Sequence, residues 1–133
     1  MTTRERLLRQ FLDARRAEPF RPGRNDCALF AADWIAALTG TDPAAPWRGW
    51  YETLDEGRAL LAEDGFASPA EVLHPILLRD AGWMQAQAGD VAVLIEAGEE
   101  AMGLVGGGHI HVLRPRRGLG AVPLDRAIRI YRP

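Results

Sequence analysis

The chain has 133 residues with 16 basic and 18 acidic side chains, enough length for one hydrophobic core and no strong net charge. The near balance of charge argues against attraction to nucleic acid, and no apolar run is long enough to span a membrane. Every basic residue is an arginine, which excludes a Schiff-base lysine and a phosphate-loop lysine. The only serine, Ser68, lies outside any Gly-x-Ser-x-Gly motif and argues against a serine hydrolase.

The first half of the sequence, about residues 1–80, predicts helices. Capping boxes at Thr2-x-x-Glu5 and Thr53-x-x-Glu56 mark two helix starts, and Gly65 ends the second of these helices. Ser68-Pro69-x-Glu71 predicts a further helix, which Pro75 should kink or shorten.

Between the two capping boxes lies a helix that is apolar on nearly every side, over about residues 26–38. Asn25 or Asp26 can cap its start, and Gly40 ends it. A helix with this pattern belongs inside the fold.

The second half, about residues 89–133, predicts a sheet. Asp90–Ile95 is typical of a buried strand, and Gly98-Glu99-Glu100 predicts a hairpin turn. The remaining strands are predicted as a meander at about residues 101–105, 109–113, 119–122 and 128–131. Helices followed by strands indicate an α+β fold with an antiparallel sheet, in one domain that spans residues 1–133.

The one cysteine, Cys27, lies in the first turn of the apolar helix. The unpaired N–H groups and partial positive charge of a helix start favour thiolate over thiol, so Cys27 is the leading candidate for a nucleophile. Burial as a small apolar residue is the alternative interpretation. A nucleophilic thiol needs a base, and the chain has three histidines to supply it.

Two motifs, in order, resemble the NlpC-type papain-like cysteine peptidases. The first is Phe20-x-x-Gly23-x-Asn25-Asp26-Cys27-Ala28-Leu29-Phe30, which is similar to the nucleophile segment of that family. The second is Gly89-Asp90-Val91-Ala92-Val93, followed by Ala101-Met102-Gly103-Leu104-Val105 in place of the family's His-Val-Gly-Ile-Tyr block. The Asp26-Cys27-Ala28-Leu29-Phe30 block and the loop from Asp42-Pro43 to Arg48-Gly49 also resemble an uncharacterised branch of these domains found among phage and prophage tail genes.

The resemblance implies a papain-like fold in which the Cys27 helix packs on the antiparallel sheet. It implies Cys27 as nucleophile and His111 near the place of the residue that orients the catalytic base. The base itself should fall at Ala101, which cannot accept a proton. His109 and His111 share one face of their strand, and either one could replace the missing base.

Two interpretations of function therefore stay open. In the first, the chain is a phage or prophage tail-associated protein with a degenerate cell-wall peptidase scaffold. In the second, it is an active cysteine peptidase or amidase that cleaves peptidoglycan peptides with Cys27 as nucleophile and His109 or His111 as base. Removal of a triad base costs several orders of magnitude in rate, which favours the first interpretation.

The expected partners are tail-tip or baseplate proteins, with a peptidoglycan peptide as the alternative ligand, and neither nucleic acid nor a membrane. We expect no cofactor and no metal site, because no motif of zinc-ligand spacing is present. Without a signal peptide in the sequence, the expected location is the virion tail, or the bacterial cytoplasm before assembly.

Overall fold

The computed structural model describes residues 1–133 as an α+β domain with three α-helices, three 3₁₀-helices and one five-stranded sheet. The α-helices are α1 (Thr3–Arg15), α2 (Cys27–Thr39) and α3 (Leu54–Glu63), and the 3₁₀-helices are Pro69–Ile76, Trp83–Gln85 and Leu124–Arg126. The strands are β1 (Val91–Glu96), β2 (Glu99–Gly106), β3 (His109–Arg114), β4 (Gly118–Pro123) and β5 (Arg129–Tyr131). No helix is both long enough and apolar enough to cross a membrane.

The predicted starts of the α-helices are confirmed by their caps. The hydroxyls of Thr2 and Thr53 each accept a hydrogen bond from the backbone N–H three residues later, at 3.1 Å in both cases. Asp26 caps α2, and Gly40 ends it in the left-handed conformation with φ of 83°. Only glycine adopts this conformation without strain, so the end of α2 is encoded in the sequence.

The fourth predicted helix forms, but as the 3₁₀-helix Pro69–Ile76 rather than an α-helix. Ser68 makes no side-chain capping bond, and Pro75 lies inside the helix. Proline has no N–H to donate and clashes with the preceding turn, so a regular α-helix cannot continue through it.

The sheet is antiparallel throughout, with the strand order β4-β3-β2-β1-β5. The first four strands form the predicted meander, but β5 was expected beside β4 and pairs with β1 at the opposite edge. The 3₁₀-helix Leu124–Arg126 begins directly after β4, whose last residue, Pro123, offers no N–H to a further strand.

The hairpin between β1 and β2 turns one residue earlier than predicted. Glu96 lies opposite Glu99, so the turn consists of Ala97 and Gly98, and Glu99 and Glu100 belong to β2. Both turn residues have positive φ, 51° and 81°, which is the type I′ geometry that suits a two-residue hairpin.

Both faces of the sheet are buried. The inner face packs against α1, α2 and the 3₁₀-helix Pro69–Ile76, and the outer face is covered in part by Leu78, Ala86, Leu124 and Ala127. Side chains alternate between the faces, so Met102 contributes to the inner cluster while Ala101 packs against the outer one.

A buried carboxylate ties the two ends of the chain to the start of β1. Asp90 is fully buried and accepts two hydrogen bonds of 2.9 Å from Arg132, one of 3.4 Å from Arg4 and one of 2.8 Å from the Gln87 N–H. Beside it, the Trp34 indole donates to the Gly89 carbonyl at 2.8 Å and so fixes α2 against the sheet.

Candidate functional site

Cys27 is the first residue of α2 and lines a cavity of about 270 Å³. The cavity lies between the start of α2, α3, the 3₁₀-helix Pro69–Ile76, the loop over residues 43–51 and the ends of β2 and β3. Of its 27 lining residues, 17 are hydrophobic. The candidate nucleophile predicted from the sequence therefore lies in a mostly apolar site.

The carboxylate next to Cys27 has a structural role. Asp26 is buried and accepts hydrogen bonds from the N–H of Leu29 at 2.9 Å, the N–H of Gly23 at 3.0 Å and the hydroxyl of Tyr51 at 2.5 Å. Burial, and then the hydrogen bond and charge of Asp26, raise the pKa of Tyr51 above its ordinary value. Tyr51 therefore stays a hydrogen-bond donor, and Asp26 holds the start of α2 against the loop that covers the cavity.

The surroundings of Cys27 favour the thiol over the thiolate. Burial raises the pKa of Cys27, and the negative charge of Asp26 raises it further. The backbone N–H groups of Met102, Ala28 and Cys27 act in the opposite direction but do not reverse the shift. The helix start alone predicts a reactive sulfur, but the apolar cavity and the adjacent carboxylate outweigh it here.

The structure does not place His109 or His111 in the cavity that holds Cys27. His109 is exposed, and its Nδ1 lies 2.9 Å from the carbonyl of Gly107. His111 is half-buried, with its Nε2 3.1 Å from the carbonyl of Gly106. Both rings thus contact the turn between β2 and β3, at the end of β2 that lies away from Met102.

The environment of His111 favours the neutral form of its imidazole. Burial lowers its pKa, and the charges of His109 and Arg16 lower it further, against the opposing effect of the Gly106 carbonyl. Leu104, which pairs with His111, lies two residues along β2 from Met102, or about 7 Å at the usual rise per residue.

Ala101, the position implied for the base, lines the same cavity as Cys27. It pairs with Leu94 and packs against the outer cluster, whereas Met102 packs on the inner face. The backbone N–H of Met102, the residue after Ala101, contacts the Cys27 sulfur. The implied position therefore borders the Cys27 site but carries a methyl group in place of an imidazole.

The sheet is split where it borders the cavity. β2 pairs with β1 from Glu99 to Leu104, but it pairs with β3 only from Gly103 to Gly106, and Leu113 and Arg114 of β3 pair with β4 alone. The residue after β3 is Pro115, which offers no N–H to β2. Pro115 can be seen in the sequence, but whether it interrupts the pairing of β2 with β3 depends on the strand register, which the sequence alone does not specify.

Two ion pairs lie at the rim of the cavity. Arg114 of β3 contacts Glu96 of β1 at 2.8 Å, and Arg58 of α3 pairs with Glu99 of β2. The tryptophans of the covering loop have separate roles, since Trp47 lines the cavity and donates to Asp64 at 2.7 Å, whereas Trp50 is exposed.

The site is mostly apolar, and the titratable side chains that line it are carboxylates, Tyr51 and arginines besides Cys27. No imidazole lines the cavity, and no cluster of three or more His, Cys, Asp or Glu side chains could hold a metal ion. Sequence reasoning missed Tyr51 as the partner of Asp26. It also missed the pairing of Asp90 with Arg4 and Arg132, because these partners are distant in sequence.

The family comparison covers the entire chain. A search of curated proteins and a search of solved structures gave no match. The family model described as a domain of unknown function, DUF6950, matches residues 1–133. The chain therefore belongs to the DUF6950 family.

Proposed function

We propose that this chain is a non-hydrolytic binding protein of phage or prophage tails, built on a papain-like scaffold of the NlpC type. One observation carries the proposal: the cavity that holds Cys27 contains no histidine. Thiol hydrolysis needs a group that takes the proton from sulfur and delivers it to the leaving amine, and an imidazole is the usual one.

The electrostatics of the sulfur support the same conclusion. A nucleophilic cysteine needs a pKa at or below the working pH, whereas burial and Asp26 raise that of Cys27. The Cys27 helix on an antiparallel sheet is consistent with the papain-like resemblance, as is the Gly-Asp start of β1. In this proposal the scaffold is kept because it presents a binding cavity, and tail-tip or baseplate proteins are the expected partners.

Hydrolysis can be tested with purified peptidoglycan and with its isolated stem peptides. The wild-type chain and Cys27→Ala should release the same background amount of new amino groups, while an active NlpC-type peptidase serves as the positive control. Cleavage by the wild type that Cys27→Ala abolishes would establish the alternative, an active cysteine peptidase with Cys27 as nucleophile.

The proposed location needs a separate measurement. Tail particles purified from a strain that carries this gene should contain the chain in a fixed ratio to the major tail protein, as measured by quantitative mass spectrometry. A chain that stays in the particle-free fraction would contradict the tail assignment but not the absence of hydrolysis.

A further inference from the structure

We propose that the Cys27 cavity and the unpaired stretch of β2 together bind an extended, uncharged segment of a partner protein, which inserts one large apolar side chain beside Cys27. The inference rests on the proposed function, since a site that cleaved the segment would not retain it. It adds the place of binding and the chemical class of the ligand.

The unpaired backbone of β2 points to a polypeptide. Val105 bonds toward β1, because its N–H donates to the Asp90 carbonyl at 2.9 Å and its carbonyl accepts from the Gly89 N–H at 2.8 Å. Hydrogen bonding alternates along an antiparallel strand, so the backbone of Glu100 and Met102 faces the side where no residue of β3 is paired with them. The Met102 N–H contacts the Cys27 sulfur there, which leaves the Glu100 N–H as the donor open to a ligand strand. An extended segment can supply the missing strand there, which is the usual mode of strand addition.

The cavity points to one apolar anchor. Its volume of about 270 Å³ lies just below the range of roughly 300–1,000 Å³ typical of small-molecule pockets. It therefore suits one or two side chains rather than a large ligand. Trp47 and Met102 line it, and an aromatic ring and a thioether both pack well against an aromatic anchor.

The rim favours an uncharged segment. Arg114 is paired with Glu96, and Arg58 is paired with Glu99. At these two positions each positive charge is therefore neutralised by a carboxylate. A charged residue of the ligand would have to compete with a formed pair, whereas an uncharged backbone would not.

Selection from a displayed library of random seven-residue peptides tests the site. The cavity is filled by Ala28→Phe, or by Val72→Trp if the first variant melts early, since both residues line the cavity. Ala37→Phe is the matched control, because it makes the same change on the exposed side of the same helix. We expect selected peptides with one large apolar residue and few charges, whose Kd rises about tenfold or more in the filled variants and is unchanged in the control.

A second pair of variants tests the backbone contact. Glu100→Pro removes the N–H that faces the split but leaves the bonds to β1, because Glu100 does not donate toward that strand. Glu100→Ala keeps the N–H and removes only the pair with Arg129. The peptides should bind Glu100→Pro several-fold more weakly than Glu100→Ala, and N-methylation of the pairing peptide residue should have the same effect.

Each failure has its own signature. The inference is overturned if the wild-type chain enriches no peptide more strongly than the cavity-filled variants do. It is also overturned if decanoate binds the cavity and the peptides do not. It is also overturned if sedimentation shows that a second copy of the chain covers the site. Cleavage of a bound peptide, detected by mass spectrometry and lost in Cys27→Ala, would instead overturn the proposed function while leaving the binding site in place.

Discussion

Asp90 should be the most sensitive polar position in the fold. It is fully buried, and its two oxygens accept a bidentate pair from Arg132 and a longer contact from Arg4. Asp90→Asn keeps the shape but removes the charge and places an amide N–H₂ against a guanidinium. Breaking a buried pair costs about 3–5 kcal/mol, because the remaining groups lose their compensation.

For Asp90→Asn we expect a loss of unfolding free energy at the lower end of this range of about 3–5 kcal/mol. The side chains of Arg4 and Arg132 are 28% and 32% exposed, so water can solvate them when the carboxylate is gone. We therefore expect Asp90→Asn to lower the unfolding free energy by about 3 kcal/mol. With a urea m-value of about 1.5 kcal/mol per M, the midpoint should fall by about 2 M.

Urea unfolding followed by tryptophan fluorescence and by circular dichroism measures this loss. Glu99→Gln is the control, because it removes a carboxylate from an exposed pair with Arg58, and such pairs contribute about 0–1 kcal/mol. If the unfolding free energy of Asp90→Asn lies within about 1 kcal/mol of the wild-type value, the ion pairs of Asp90 with Arg4 and Arg132 do not stabilise the fold and the reasoning is wrong. Double-mutant cycles with Arg132→Met and with Arg4→Met should assign most of the coupling to Arg132, whose contacts are shorter.

Four further predictions address the site and its support. Alkylation of Cys27 by iodoacetamide should show a pH midpoint above that of a free cysteine peptide, because burial and Asp26 raise its pKa; a midpoint at or below the reference contradicts this. Ala101→His should restore no peptidoglycan cleavage, because burial and Asp26 still raise the pKa of Cys27, and any Cys27-dependent release of amines would show that an imidazole beside the sulfur is sufficient. Gly23→Ala should cost more in thermal unfolding than Gly40→Ala: both have positive φ, a penalty of about 1–2 kcal/mol, but only at Gly23 does an added Cβ approach a backbone oxygen to 1.9 Å. His111 has a lowered pKa in the folded state, so the unfolded chain binds the proton first as pH falls. Unfolding free energy should therefore decrease as pH falls through the ordinary histidine pKa, and less so in His111→Gln.

Local signals predicted the helical half well. Helix starts depend on a side chain that lies within three residues of the N–H it accepts from, so both threonine caps could be identified from spacing alone. For α2 the sequence left Asn25 and Asp26 as alternatives, and the structure selects Asp26. The 3₁₀ character of residues 69–76 was less accessible. Pro75 predicts a disturbed helix, but the outcome depends on packing against the core.

The sheet was harder to predict because its order depends on contacts between distant residues. Alternation and glycines located all five strands to within about two residues, yet β5 was assigned to the wrong edge. In the structure, β5 pairs with β1 and also contacts the segment that follows the 3₁₀-helix Pro69–Ile76, where the Leu78 N–H donates to the Ile130 carbonyl at 2.9 Å. Nothing in the spacing of residues 119–131 specifies that pairing.

The site combines a feature that sequence can reveal with one that it cannot. The place of Cys27 follows from a cap and an apolar helix, which are local. Whether a histidine can reach Cys27 depends on the pairing register of the strands, because a shift of one residue moves a side chain to the other face of the sheet. His109 and His111 lie on the strand face that the alternation predicted, but the register carries them toward the Gly106–His109 turn, while Met102 and Pro115 border the Cys27 cavity. The same register that keeps an imidazole away from the sulfur leaves part of β2 unpaired beside an apolar cavity, so the arrangement that argues against hydrolysis is also the one that favours binding.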